Sequence, residues 1–150
     1  MAKVRDELIE SLFPNIGINY TITSPQTHNY NCIAFAAGDE TKFWWPIYHY
    51  WPEGVPEKED LQSFIECYKS LGYEECGMNS AFEEEFEKIA LYTSPSGKAT
   101  HASKQVSGNI WKSKLGTYYD IEHEFGGLNG WITEQSYGTV ACIMKRKLKK

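Results

Sequence analysis

The chain has 150 residues, 41% of them hydrophobic and 23% charged, with a formal net charge of -5. That size and balance fit a single globular domain, 1–150, able to bury roughly two-thirds of its unfolded surface without disulfide or metal staples. The negative charge argues against broad electrostatic binding to nucleic acid, and no window approaches the ~18 apolar residues of a membrane span.

Residues 1–13 carry charges throughout and hold no continuous apolar stretch, so they do not read as a signal peptide. The expectation is a cytoplasmic chain with reduced thiols. Its four cysteines, Cys32, Cys67, Cys76 and Cys142, form no CxxC pair, and this spacing does not predict a structural zinc site. No cofactor is expected. The basic run at 145–150 reads as a solvated terminus.

In chain order, Val4, Leu8 and Leu12 recur at helical spacing, so residues 3–13 are predicted as an amphipathic helix ended by Pro14. Residues 18–23 alternate as a short strand, and Ser24-Pro25 marks a turn. A short helix follows, capped by Asn29 or Asn31 and stopped by Gly38. The segment 43–56 contains two Trp-Pro steps and fits neither period, so it is predicted as an aromatic loop on the core or along a cleft. Residues 57–71 carry an apolar face of Leu61, Phe64, Ile65, Tyr68 and Leu71, with Gly72 as the stop. Strands are predicted at 88–93, 99–106 and 110–115, with turns at 94–97 and 107–109. Residues 118–125 read as short helical or irregular, and 137–146 as a last strand. Helices first and an antiparallel meander after them make an α+β layout.

That layout puts Cys32 in the first turn of a helix, where free N–H groups and the helix dipole favour a thiolate. The same N–H groups can face an oxyanion formed when sulfur attacks a carbonyl. The alternative is a small apolar packing residue among Ile33, Ala34 and Ala36. Of the four histidines, His101 lies in a meander strand among small neighbours and is the better base for Cys32. Asp120, beyond the next strand, is the simplest residue to hold the far side of its ring; His123 and Ser113 are alternatives. Gln26 can add its side-chain amide to the oxyanion site formed by the Cys32 backbone, and Trp44 and Trp45 can wall a substrate cleft. A metal site is not assembled: HEF at 123–125 is not HExxH, and the DIEH segment at 120–123 offers one ligand pair.

Cysteine on a helix, then histidine on a strand, then a polar residue further on is the order of papain-like cysteine peptidases and their cell-wall amidase (NlpC/P60-like) and transglutaminase-like relatives. The Gln26-to-Cys32 spacing resembles the papain oxyanion glutamine. YNCIAFA (30–36), GYEEC (72–76), KIALY (88–92), THASKQ (100–105), WKSKLG (111–116), DIEH (120–123) and YGTV (137–140) resemble the blocks of a family of uncharacterised bacterial proteins. The resemblance implies a papain-like domain, with a nucleophile-bearing helix packed on an antiparallel meander. It also implies a cysteine-dependent hydrolase or acyltransferase that acts on an amide bond of a protein or peptide substrate, with no nucleic acid and no membrane as partner. One alignment with the cell-wall amidase relatives sets Lys88 where they carry the base and His101 on their orienting residue, which leaves an inactive papain-like domain. The transglutaminase-like order matches His101 and Asp120.

A competing reading is a non-enzymatic, immunity-like binding module. Small size, the charge of -5 and abundant aromatics suit it, and Cys32 would then be core.

Overall fold

The computed structural model describes residues 5–24, 27, 29–115, 118–130 and 136–148. Asp6 accepts from the Ile9 N–H and opens α1, Glu7–Leu12. Pro14 cannot continue the helical ladder and starts a 3-10 turn, Pro14–Ile16. Val4, predicted on this helix, lies outside the described residues, as do Pro25, Gln26 and His28.

β1 covers Tyr20–Ser24. α2 covers Cys32–Ala37, with Asn31 as its cap and Gly38 at φ 89° as its stop, both as the sequence predicts. α3, Leu61–Lys69, is shorter than the predicted 57–71, because its cap is Asp60, whose carboxylate accepts from the Ser63 N–H. Phe64, Ile65 and Tyr68 are buried on its apolar face.

Six more strands follow: β2 Glu74–Glu75, β3 Phe86–Thr93, β4 Ala99–Ser107, β5 Ile110–Lys114, β6 Asp120–Glu124 and β7 Thr139–Lys147. They join β1 in one sheet of order β1-β6-β5-β4-β3-β7-β2, in which every pairing is antiparallel. β3, β4, β5 and β7 are the strands predicted for the meander, and the fold is mixed α+β. Residues 120–124 correct the sequence reading. They form a strand inside the sheet, paired to β1 on one side and β5 on the other. β2 was not foreseen.

Alternation along each strand sends neighbouring side chains to opposite faces. Ile89, Leu91 and Ala102 pack with Ile33, Ala34, Phe64 and Tyr68 from α2 and α3. Ala90, Tyr92 and Ile143 pack on the other side with Ile9, Phe13 and Ile16. Each large apolar side chain so buried contributes about 1.5–3 kcal/mol. The aromatic loop is fastened to the first of these cores. Asn31 binds Trp44 through both the Trp44 N–H (3.1 Å) and its carbonyl (2.8 Å), and the Trp45 and Trp51 rings lie against Phe64. Among the described residues no helix is long and apolar enough to cross a membrane.

Candidate active site

Cys32 is the first residue of α2, and α2 packs across β4 and β5. The sulfur is buried, faced by the backbone N–H groups of Ala102, Ile33 and Cys32 itself. These N–H groups and the Lys114 ammonium favour a thiolate, but burial outweighs them and pushes the thiol up to about 11. At rest Cys32 is therefore a neutral thiol.

The Ala102 amide that faces the sulfur follows His101 directly in β4. The His101 imidazole is fully buried and lies parallel to the Tyr137 ring, with centroids 4.0 Å apart. Its Nε2 is 3.0 Å from Ser113 Oγ on β5. That hydroxyl is 2.8 Å from His123 Nε2 on β6, and His123 Nδ1 is 2.8 Å from the Glu124 carbonyl. His101 Nδ1 has no hydrogen-bond partner among the described residues. Burial, and then the neighbouring His123, hold the His101 ring well below the ordinary imidazole range. Burial lowers His123 to about 4. Both rings are neutral at pH 7.

Cys32 and His101 meet the same stretch of β4 from its two faces: Cys32 packs with Ala102 and Leu91 on the α2 side, and the His101 ring lies with Tyr92 and Tyr137 on the other, where Ser113 holds its Nε2. The structure does not bring Asp120 there. Asp120 pairs in register with Lys114, whereas Ser113 pairs with Ile121, so strand alternation turns Asp120 away from Ser113. Asp120 Oδ2 instead accepts from the Tyr30 hydroxyl at 2.7 Å, and Oδ1 lies 3.9 Å from Lys114 Nζ. On β6 the residue that reaches Ser113 is His123.

Gln26, expected at the oxyanion site, lies outside the described residues. Trp44 is a fastening residue rather than a cleft wall. It is buried, and its indole N–H donates to Asp39 at 2.9 Å. Trp45 does face a cavity, of about 610 Å³, which is also lined by Glu59, Lys98, Thr100 and Tyr137. Tyr137 is thus shared between that cavity and the His101 ring. Tyr137, Tyr30 and Lys114 carried no signal as single residues in the sequence. Among the described residues no group of three or more His, Cys, Asp or Glu could hold a metal ion.

Residues 21–145 match a family described as a domain of unknown function, DUF7689. The chain belongs to the DUF7689 family. No curated protein and no solved structure matches it. Cys32, His101, Ser113 and His123 all fall within the DUF7689 match, as do Trp45 and Tyr137.

Proposed function

We propose that this DUF7689 chain is a cysteine-dependent enzyme of papain-like type that hydrolyses or transfers the acyl group of an amide bond. Cys32 is the nucleophile, His101 the base and Ser113 the residue that orients the ring. The observation that carries this reading is the pairing of two facts. The Cys32 sulfur faces the amide of Ala102, the residue after His101, and Nδ1 of His101 is a buried ring nitrogen with no partner among the described residues. A buried polar atom left unpaired costs about 1–3 kcal/mol, which points to a use for it.

In this reading the thiol proton passes to His101 Nδ1 as sulfur attacks the substrate carbonyl carbon. The N–H groups at the start of α2 stabilise the oxygen that takes up the negative charge. The tetrahedral adduct then expels the amine, which takes the proton from Nδ1, and a thioester remains. Attack by water, with its proton passing to Nδ1 and on to the leaving sulfur, gives hydrolysis. Attack by an amine gives transfer. Because thiol and imidazole are both neutral at rest, the thiolate forms in the attack itself and is not stored as an ion pair.

The test is alkylation of Cys32 by iodoacetamide at pH 7, followed by peptide mass mapping. His101→Ala is expected to slow the modification of Cys32 roughly tenfold, with Cys67 and Cys142 unaffected. An unchanged Cys32 rate in a folded His101→Ala protein overturns the reading. A second reading, a protein-binding module, draws on Ile47 and Tyr48, which are 63% and 72% exposed at the tip of the aromatic loop. It is favoured if Ile47→Ser with Tyr48→Ser abolishes capture of a partner that Cys32→Ala still captures.

A further inference from the structure

We infer that His123 is a positioning residue that decides which nitrogen of His101 carries the proton, acting through the Ser113 hydroxyl. The inference rests on the proposed role of Cys32 and His101.

Directions follow from the donor and acceptor capacity of each group. The Glu124 carbonyl can only accept, so His123 Nδ1 carries a hydrogen and donates to it at 2.8 Å. A neutral imidazole has one N–H, so His123 Nε2 is bare and accepts. Ser113 therefore spends its single hydrogen on His123 Nε2 at 2.8 Å. The Ser113 oxygen then has only lone pairs to offer His101, and accepts from His101 Nε2–H at 3.0 Å. With its hydrogen on Nε2, His101 has a bare Nδ1. That is the nitrogen with no partner among the described residues, on the residue that precedes Ala102, whose amide faces the Cys32 sulfur.

A serine alone would leave the choice open, because its hydroxyl can turn and donate to Nε2 instead. That would place the hydrogen of His101 on Nδ1, where it cannot take a thiol proton. His123 closes that alternative. His101, Ser113 and His123 stand on three adjacent strands, β4, β5 and β6, and all three are at most 1% exposed, so no solvent competes for these bonds. A chain of polar groups held this way recurs in metal and catalytic sites, where the outer group sets the tautomer of the inner ring.

The test uses the full chain with ¹⁵N-labelled histidine. Long-range ¹H–¹⁵N spectra at pH 7 are expected to show His101 as the Nε2–H tautomer and His123 as Nδ1–H. His123→Phe removes the acceptor while keeping a ring of similar size. It is expected to move His101 toward Nδ1–H and to slow iodoacetamide alkylation of Cys32 roughly tenfold. His123→Gln, which keeps a carbonyl acceptor, is expected to restore the tautomer and most of the rate. A wild-type His101 found as Nδ1–H overturns the inference, and that measurement needs no variant to fold. So does a folded His123→Phe protein in which neither tautomer nor alkylation changes. If His101→Ala leaves Cys32 alkylation unchanged while the tautomers are as expected, the proposed enzyme fails and the relay stands.

Discussion

His101 and Ser113 hold each other at 3.0 Å across two strands whose paired ladder has already ended. Bridging between β4 and β5 runs from Ser107↔Ile110 only as far as Lys104↔Lys112. Beyond it the imidazole and hydroxyl take over from the main chain as the link between the strands. α2 lies across the same two strands and delivers Cys32.

Asp120, the acid that sequence order nominates to hold His101, should behave as a structural residue. It and Lys114 are each no more than 1% exposed, and Asp120 also takes the Tyr30 hydroxyl. Asp120→Asn leaves a buried ammonium without its counter-charge and is expected to cost about 3–5 kcal/mol in urea unfolding. The iodoacetamide rate at Cys32 in the folded protein should stay within about twofold of wild type. A tenfold slower rate with little loss of stability would return Asp120 to the site.

Asn31→Ala removes three bonds at once: the cap to the Ala34 N–H and both links to Trp44. The expected loss is roughly 2–3 kcal/mol, from about 1 kcal/mol for each bond. Urea titration followed by tryptophan fluorescence checks it, since the aromatic loop is released along with the helix start. A loss of a few tenths of a kcal/mol would mean that neither depends on Asn31.

Gly138 sits at φ 85°, and a Cβ there would lie 1.8 Å from the Thr93 carbonyl oxygen. Both objections are backbone, and neither can be relieved by turning a side chain. Gly138→Ala is therefore expected to cost about 4 kcal/mol or more, read as a large fall in Tm or loss of soluble protein. The neighbouring Tyr137 should lose its stacking on His101 with it. A Tm within a few degrees of wild type would show that the turn has another arrangement open to it.

Acid should weaken the fold through the histidines before the carboxylates matter. His123 is lowered to about 4 in the folded chain, against an ordinary value near 6.5. Between those values the unfolded chain binds the extra proton, so stability falls as pH falls. The contribution is fully present above about 6.5, declines through the interval and is gone below about 4, for a loss of about 3 kcal/mol from His123. His101, shifted in the same direction, adds to it. Urea midpoints at pH 7, 5.5 and 4 in wild type and His123→Phe measure the difference. An equal decline in both proteins would remove His123 as its source.

Much of the frame could be read from local chemistry. Asn31 and Gly38 bracket α2, and the turns at 94–97 and 107–109 define the hairpins that set His101 on a strand. What escaped was tertiary. β6 reads as irregular because Asp120 and His123 look like surface residues. Their burial rests on Tyr30, Lys114 and Ser113, which come from elsewhere in the chain. The choice of Asp120 over Ser113 followed from the same blindness. Distance along the chain says nothing of which face a residue takes, and counting the register back from the 107–109 turn would pair Ser113 with Lys104 and turn it from His101; the bulge between Gln105 and Ser107 shifts the register by one and puts Ser113 on the side of His101.

The order of the strands also bears on how the molecule assembles. His101, Ser113 and His123 belong to consecutive strands joined by short connections, so the three-residue relay closes through local hairpins at small entropic cost. Cys32 comes from far earlier in the chain, and α2 meets β4 and β5 through contacts of long sequence separation. The relay is thus built from local contacts, while the docking of α2 carries the larger loop-closure cost.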